Sequence, residues 1–413
     1  MKRNIRHRGR RRMEEKMKKK KTLPYLPHEL ITQILLRLPV KSLILFKSVC
    51  KSWFSLISDT HFANSHFQLT SGTHTRRILL MSTSRPRESR SIDFEASSLY
   101  DDSASVSLYP NFIPLESYSF IRIKGSCRGF LLLHCYYEQR LPMFRIYDIY
   151  IWNPSTGFHK EIPFSPFASD PDKQYFNYFY GFGYDQSTND YLLVRMSSDS
   201  HFNDLPPHGE YFSLRANTWK EIEGTQFPYR NPMEDEQLTV GFLFNGAIHW
   251  FAYRCDLNRQ VIVAFDLLER KLFDMHLPDD FHRELNEFGF WVFGEFLSLW
   301  AVYYGDDVHD NSTLEVWVMK EYKVDSPWTK TLVLPFGGTS RKNFPPICST
   351  KSGDIIGTNS HTGLEKYNDR GLMLEYHSYF NGRCGWEVAL YTESLLSLPD
   401  NEQAYERGIK QEE

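Results

Sequence analysis

The chain has 413 residues and is nearly neutral overall, with 48 Lys and Arg residues against 51 Asp and Glu residues and a formal net charge of −3. Aromatic residues make up 15% of it, which favours β structure with half-buried pleated surfaces. The charge is unevenly divided, because residues 1–21 hold twelve basic residues against Glu14 and Glu15, a local +10 that leaves −13 for the remainder. So acidic a body is a poor partner for phosphate backbones, and we expect it to bind no nucleic acid; salt-sensitive nucleic-acid binding through the basic N-terminal residues is the alternative.

Two basic runs, 8–12 and 18–21, lie in the N-terminal 21 residues. Such runs are typical of a nuclear import signal, and a solvated, disordered extension is the alternative. No apolar run follows them, so we expect no secretory signal. The six cysteines show neither CxxC nor metal-ligand spacing and are predicted to be reduced, mostly buried thiols. These features predict a protein of the cytoplasm, the nucleus or both, without metal or cofactor.

An amphipathic helix is predicted to begin at Pro27, which suits a first helical position because its missing N–H is not needed there. Leu30, Ile34 and Leu38 recur at every fourth residue, and Pro39 ends this helix. A second apolar series follows at helical spacing, and it consists of Leu43, Phe46, Val49, Cys50 and Trp53. About 35 residues cannot bury so much apolar surface without a metal, disulfides or a partner. The helices are therefore predicted to bind another protein, and packing on the rest of the chain is the alternative.

Three motifs in this region resemble an F-box, namely Leu26-Pro27-His28-Glu29-Leu30, Leu38-Pro39-Val40-Lys41-Ser42-Leu43 and Val49-Cys50-Lys51-Ser52-Trp53. The resemblance implies that residues 22–65 form a three-helix domain that docks on a Skp-type adaptor. That adaptor would tether the chain to a cullin, a RING subunit and the ubiquitin-conjugating machinery. Carried over by position, the adaptor-facing residues are Leu26, Pro27, Leu30, Ile34, Leu35, Leu38, Pro39, Leu43, Phe46, Val49, Cys50 and Trp53.

From about residue 75 short apolar runs alternate with clusters of Gly, Asn, Asp and Pro, a pattern typical of all-β structure. An aromatic residue before a polar turn recurs at steps of 58, 60, 53, 52 and 59 residues, at Phe94, Trp152, Phe212, Phe265, Trp317 and Tyr376. One period holds about four strands, so residues 70–400 are predicted to form a β-propeller of about six blades. A β-sandwich is the rival, although its signals would not repeat at this period. Residues 391–398 are expected to pair with a strand near 78–81 and close the ring, ahead of a polar tail at 401–413.

This region resembles the F-box-associated, kelch-like domain of plant F-box proteins. The motifs that carry the resemblance are Ile151-Trp152-Asn153-Pro154-Ser155-Thr156, Gly181-Phe182-Gly183-Tyr184-Asp185, Phe244-Asn245-Gly246-Ala247-Ile248-His249-Trp250 and Tyr391-Thr392-Glu393-Ser394-Leu395. The double glycine of true kelch blades is missing. The predicted fold class is thus multidomain, with a small helical F-box before an all-β, kelch-like propeller, and the pair is similar to pollen S-locus F-box proteins.

No motif of an enzyme or a membrane span is found. P-loop, HExxH, GxSxG and EF-hand patterns are absent, and acidic pairs such as Asp279-Asp280 lie among turn residues, where solvated charge is usual. The apolar stretch 288–304 is interrupted by Gly294-Glu295 and is shorter than a span requires, so two buried strands explain it better. His249 is predicted to be a satisfied core histidine. Four tryptophans are predicted to pack blades first and to cage a ligand second, and they are Trp152, Trp250, Trp317 and Trp328.

The resemblances imply a non-catalytic substrate-recognition subunit of a Skp-cullin-F-box ubiquitin ligase, which holds a protein target for ubiquitination and degradation. The target itself is not identified. Target choice is expected to belong to loops that join the blades, with candidates at 169–178, 198–208, 228–237, 305–312 and 335–346. The alternative is a lectin-like or small-ligand-binding propeller whose F-box has a non-degradative role. Exposed aromatics with carboxylates at the channel mouth would favour that alternative.

Overall fold

The computed structural model describes residues 26–70, 76–82, 88–113, 120–137, 145–166, 178–197, 208–222, 228–231, 240–282, 287–303, 312–323, 328–336, 344–359, 363–379 and 386–398. The chain divides into two compact units, Met1–Thr70 and Ser71–Glu413. The described part of the first is helical, and that of the second is built mainly of strands.

The helical unit contains α1 (His28–Leu35), α2 (Val40–Phe46), α3 (Lys51–Ser58) and α4 (Thr60–Thr70). Pro27 and Pro39 have extended backbone and stand one residue before α1 and α2, so Pro27 caps the first helix and is not its first residue. Their carbonyls accept hydrogen bonds from the N–H groups of Ile31 at 3.2 Å and Leu43 at 3.1 Å. Because a proline disfavours helical backbone in the residue before it, α1 ends short of Pro39 and Leu38 lies in the connecting turn.

The fourth helix, α4, lies beyond the three-helix pattern. Asp59 separates it from α3 with extended backbone, and its carboxylate accepts a hydrogen bond from the Phe62 N–H at 2.9 Å. The imidazole Nε2 of His66 on α4 lies 2.8 Å from the carbonyl oxygen of Leu38. The buried apolar residues of the unit are Leu35, Leu36, Val40, Leu43, Ile57, Phe62 and Ala63. This core holds the four helices together.

Six antiparallel sheets form the blades of a propeller. Blade 1 contains β1 (Arg76–Ser82), β2 (Ser89–Ile92) and β3 (Ser105–Leu108). Blade 2 contains β4 (Phe120–Cys127), β5 (Phe130–Tyr137), β6 (Arg145–Trp152) and β7 (His159–Ile162). Blade 3 contains β8 (Tyr178–Asp185), β9 (Asp190–Ser197), β10 (Gly209–Ser213) and β11 (Thr218–Glu221). Blade 4 contains β12 (Tyr229–Arg230), β13 (Phe242–Phe244), β14 (Ala247–Arg254), β15 (Arg259–Asp266) and β16 (Lys271–Met275). Blades 5 and 6 contain β17 (Glu287–Phe293), β18 (Phe296–Tyr303), β19 (Ser312–Val318) and β20 (Thr329–Phe336), and β21 (Pro346–Ser349), β22 (Ile355–Asn359), β23 (Gly363–Tyr367) and β24 (Met373–Ser378).

The ring is closed by β25 (Trp386–Thr392), which pairs with β1 in blade 1. Ile78 lies opposite Leu390 and Leu79 opposite Ala389, so the closure predicted from the sequence is confirmed. This strand lies earlier in the chain than the predicted 391–398, and the chain after Thr392 is not in a strand. That last stretch is held instead by the buried Asn153, whose side-chain amide donates to the carbonyls of Ser394 at 3.1 Å and Leu396 at 3.2 Å.

Four of the periodic aromatics lie on the third strand of a blade, and a fifth lies just after one. Trp152, Phe212, Phe265 and Trp317 lie on β6, β10, β15 and β19, and Phe94 follows β2. The sixth position is different, because Tyr376 lies on the outermost strand β24 and the third strand of that blade is β23. Blade 6 therefore departs from the phase predicted by the sequence.

Glycines in the first strand of a blade make room for large side chains. A Cβ atom at Gly181 would lie 2.8 Å from the Trp250 ring and 2.6 Å from Ile248, and one at Gly289 would lie 2.7 Å from the Trp300 ring. Glycine is thus required at both positions for the close approach of an aromatic ring. The motif that contains Gly181 ends at Asp185, whose carboxylate pairs with Arg270 at 2.7 Å and so links blades 3 and 4.

Two further local predictions are confirmed. An Asn-Gly pair predicts a type I′ hairpin, and Asn245 and Gly246 between β13 and β14 have the positive φ angles, 46° and 74°, that this turn requires. The apolar stretch 288–304 is divided between β17 and β18. Within the described residues there is no helix long and apolar enough to cross a membrane.

Candidate functional site

Large apolar side chains are exposed on the helical unit. Leu30 and Ile34 are each 51% exposed and stand one turn apart on α1, so they share one face of that helix. Leu26 and Val49 are also exposed. Large exposed apolar side chains at regular spacing are typical of a protein-binding surface.

The predicted adaptor-facing residues divide into three groups by burial. Those exposed are Leu26, Pro27, Leu30, Ile34, Pro39, Val49 and Cys50, and those half-buried are Leu38, Phe46 and Trp53. Leu35 and Leu43 are buried in the core of the helical unit. The rings of Phe46 and Trp53 lie 5.4 Å apart, so these two also pack on each other. Contact of all these residues with an adaptor stays a prediction.

Three exposed apolar residues of this unit lie outside the predicted adaptor-facing set, and they are Leu45 on α2, Phe54 on α3 and Leu69 on α4. Leu45 and Phe54 each lie beside a residue of the apolar series and outside its spacing, and Leu69 lies beyond the end of that series. Because helical periodicity selects one face of each helix, residues on a second exposed face leave no signal in it.

The candidate target-binding loops lie largely outside the described residues. For 169–178, 198–208 and 305–312 the structure describes one terminal residue each, and these are Tyr178, His208 and Ser312. The loop at 228–237 is described at 228–231 only, and the loop at 335–346 is described at 335–336 and 344–346. A role of these loops in target binding stays a prediction.

A buried polar cluster joins blades 2 and 3. The carboxylate of Glu210 on β10 pairs with the guanidinium of Arg195 on β9 and accepts a hydrogen bond from the Ser165 hydroxyl. His134 on β5 is fully buried and packs edge-on against Tyr180 at 4.4 Å. Burial, together with the charges of Lys124 and Arg195, holds the pKa of His134 well below its ordinary value. This cluster is closed to solvent, so its geometry indicates a structural role.

An open groove of about 800 Å³ lies between blades 4 and 5. Its residues are Asp266, Glu269, the continuous run from Lys271 to Asp280, and Trp317, Met319, Lys323, Trp328 and Lys330. A groove of this volume falls in the size range of ligand-binding pockets. Phe273 and Met275 on β16 belong to the apolar cluster that blades 4 and 5 share, which makes the groove floor apolar.

His249 and three of the four tryptophans are buried as the sequence predicts, and Trp328 differs. His249 is fully buried, its Nδ1–H donates to the carbonyl of Phe242 at 3.1 Å, and its Nε2 accepts from the Tyr322 hydroxyl at 2.9 Å. Burial lowers the pKa of His249 to about 4, so the ring is neutral at physiological pH. Trp152, Trp250 and Trp317 are buried packing residues. Trp328 is half-buried and lines the groove, as does Asp279-Asp280.

Within the described residues no group of three or more His, Cys, Asp and Glu side chains is placed to hold a metal ion. Five cysteines in that part of the chain are free thiols, with Cys127, Cys135 and Cys348 buried and Cys50 and Cys255 exposed.

Two family models match the chain. The model of the F-box associated beta propeller domain matches residues 73–353, and that of the F-box domain matches residues 23–64. An F-box/kelch-repeat protein of Arabidopsis thaliana is 28% identical over 355 residues, which cover 85% of this chain and 90% of the relative. The Arabidopsis thaliana F-box protein CPR1 is 28% identical over 337 residues, which cover 75% of this chain and 73% of the relative.

A solved structure, the GH93 alpha-L-arabinofuranosidase of Fusarium graminearum, is similar with a TM-score of 0.35 and 12% sequence identity. The matched region covers 70% of this chain and 86% of the arabinofuranosidase. Similarity this weak carries no argument about activity.

Proposed function

The chain belongs to the plant F-box proteins that carry an F-box-associated β-propeller domain, and we propose that it is the substrate-recognition subunit of a Skp-cullin-F-box ubiquitin ligase. The family supports a substrate adaptor rather than an enzyme. An F-box indicates binding to a Skp-type adaptor in general. The proposal includes a cullin and a RING subunit as further partners and the degradation of the target. It also places the action of the chain in the cytoplasm or the nucleus.

The observation that carries this proposal is the exposed pair Leu30 and Ile34 on a helix that matches the F-box model. Two large apolar side chains on one helical face lose contact with water when a partner covers them, and this supplies binding free energy. The free thiols of the described residues also fit a reducing compartment, where such ligases would act.

In the proposed complex this subunit binds the target, and other subunits transfer ubiquitin. A subunit that holds its target near activated ubiquitin raises the effective concentration of the target's lysines, so rate enhancement requires no catalytic side chain on this subunit. A rigid propeller suits the holding role, because its blades present connections at fixed positions.

The test is a double variant, Leu30→Ala with Ile34→Ala, in the full-length chain. Both side chains are half exposed, so the fold should survive and binding should weaken. We expect the dissociation constant for a purified Skp-type adaptor to rise by roughly 30- to 900-fold, which corresponds to about 2–4 kcal/mol for two truncated contacts. The measurement is calorimetric titration, with circular dichroism to check the fold.

The matched control is Leu257→Ala with Leu268→Ala, which removes two exposed leucines from the propeller. This variant should bind the adaptor as the wild-type chain does. Unchanged adaptor binding by the α1 variant would reject the F-box docking surface and with it the proposed function.

A further inference from the structure

The groove between blades 4 and 5 is held open by two contacts across the blades. The Trp328 indole Nε1–H donates to the carbonyl of His276 at 2.8 Å, and the Lys323 ammonium pairs with Asp266 at 2.6 Å. Lys323 also lies 4.4 Å from the centroid of the Phe273 ring. Since both walls are fixed to each other, the groove exists before any ligand arrives, and binding requires little ordering of the protein.

The wall of the groove follows ten consecutive residues, from Lys271 on β16 to Asp280 in the short 3-10 helix Asp279–His282. Its apolar side chains include Phe273, Met275 and Leu277. A ligand that lies along a continuous stretch of chain and contacts an apolar floor is itself best matched by an extended chain with a large apolar side chain.

The charges of the groove are unbalanced. Asp266 pairs with Lys323, Asp274 pairs with Arg254 at 2.7 Å, and Lys330 pairs with Glu315 at 2.8 Å. Glu269, Asp279, Asp280 and Lys271 are exposed and make no ion pair within the described residues. Three carboxylates against one ammonium leave the rim acidic, which favours a basic partner.

A carbohydrate fits this groove poorly. Stacking of a sugar ring needs an open aromatic face, but Trp317 is only 2% exposed and the ammonium of Lys330 lies 5.0 Å from its ring centroid. The indole N–H of Trp328 is already engaged by His276. The other aromatic lining residues, Phe273 and Trp328, are half-buried, and the Lys323 ammonium lies 4.4 Å from the Phe273 ring centroid.

We propose that this groove binds an extended segment of the protein substrate, with a large apolar side chain on the floor and lysine or arginine side chains beside Glu269, Asp279 and Asp280. The inference rests on the proposed function, because it assigns the recognised segment to the partner that the propeller holds. The apolar contact supplies most of the affinity, and the rim charges select basic neighbours and raise the association rate.

The test uses the full-length chain and a positional-scanning library of fluorescein-labelled octapeptides with every amino acid at each position. We expect selection of one large apolar residue with lysine or arginine on both sides. Binding of the selected peptide, measured by fluorescence anisotropy, should weaken as salt rises, because the rim charges are exposed to solvent.

The triple variant Glu269→Lys, Asp279→Lys and Asp280→Lys should lose at least tenfold in affinity for that peptide. Its matched control, Glu161→Lys, Glu295→Lys and Asp369→Lys, makes the same charge change at exposed residues that do not line the groove, and it should retain affinity within twofold. Phe273→Ala should lose the apolar preference and keep the basic one. Thermal unfolding of each variant establishes that the propeller remains folded.

Several results would overturn the proposal. A library with no preferred sequence would reject it, and so would selection of acidic residues. Equal losses of peptide affinity in the groove variant and the control variant would also reject the proposal, as would displacement of the labelled peptide by disaccharides but not by the unlabelled peptide. Adaptor binding by the same preparations separates the two proposals. Loss of peptide selection with adaptor binding intact rejects the groove alone, and peptide selection without adaptor binding rejects the ubiquitin-ligase role alone.

Discussion

At the residue scale, Glu210 shows how a buried charge is stabilised between blades. Burial by itself would raise the pKa of its carboxyl, but hydrogen bonds from His208 and Ser165 and the charge of Arg195 outweigh burial and lower that pKa. A carboxyl with a lowered folded-state pKa stabilises the fold fully above its unfolded pKa of about 4.3, and that stabilisation disappears as the pH falls through the folded value.

We therefore predict that Glu210→Gln lowers the free energy of unfolding at pH 7 by about 3–5 kcal/mol, because the buried guanidinium of Arg195 loses its carboxylate. The difference from wild type should stay constant between pH 7 and pH 5 and shrink below about pH 4. Urea unfolding followed by tryptophan fluorescence measures it. Glu161→Gln, the same change at an exposed site, should stay within about 0.5 kcal/mol of wild type. A difference that grows on acidification would contradict this assignment.

The two buried histidines differ in what the sequence reveals. His249 stands in an apolar strand beside a hairpin turn, and its role as a satisfied core histidine is predicted correctly. His134 also stands in an apolar strand, yet neither of its ring nitrogens has a hydrogen-bond partner among the described residues. Which polar groups surround a strand residue depends on the neighbouring blade, so the two environments cannot be told apart from local sequence.

At the element scale, β25 decides whether the ring is closed. It pairs with β1 over its whole length, from Arg76 opposite Thr392 to Ser82 opposite Trp386. Removing it would leave β1 as an open edge with unpaired N–H and C=O groups, which is a template for aggregation.

A chain that ends at Ser378 should therefore aggregate on expression, and size-exclusion chromatography gives the readout. The control is a chain that ends at Pro399, which keeps β25 and the carbonyls of Ser394 and Leu396 that Asn153 binds. This control should elute as the full-length protein does. A monomeric product ending at Ser378 with the wild-type melting temperature would show that closure is dispensable.

At the scale of the whole molecule, two compact units carry two separate tasks in the proposed function. Contacts in separate units contribute nearly additively, so each task should be lost without the other. The chain should transfer no ubiquitin by itself, and transfer should require adaptor, cullin, RING subunit and conjugating enzyme.

We predict that deleting residues 22–62 abolishes ubiquitin transfer to a target recovered from plant extract with the full-length chain. Binding of that target should remain within about threefold, since the propeller is untouched. Changes in the loops 198–208 or 305–312 should have the reverse effect and leave adaptor binding intact. Reconstituted ubiquitination and pull-down measure the two tasks, and a folded variant that loses both tasks together would contradict their separation.

Local sequence was sufficient for everything that depends on near neighbours in the chain. The four-residue apolar spacing predicts α1, the pair Asn245-Gly246 predicts a hairpin with two positive φ angles, and steps of 52 to 60 residues predict about six blades. The first two signals are readable because helical periodicity and turn geometry act over a few residues, and the third because each blade repeats a similar set of short strand signals.

Only the tertiary structure decided which apolar residues face outward and which distant segments meet. Leu35 and Ile34 are adjacent in one amphipathic helix, yet Leu35 is buried in the core and Ile34 is half exposed. Asn153 binds the carbonyl of Ser394 across a separation of 241 residues, and the groove joins the run after β15 to the strands of the next blade. Such contacts arise from the packing of whole blades around a closed ring, and no local pattern encodes that packing.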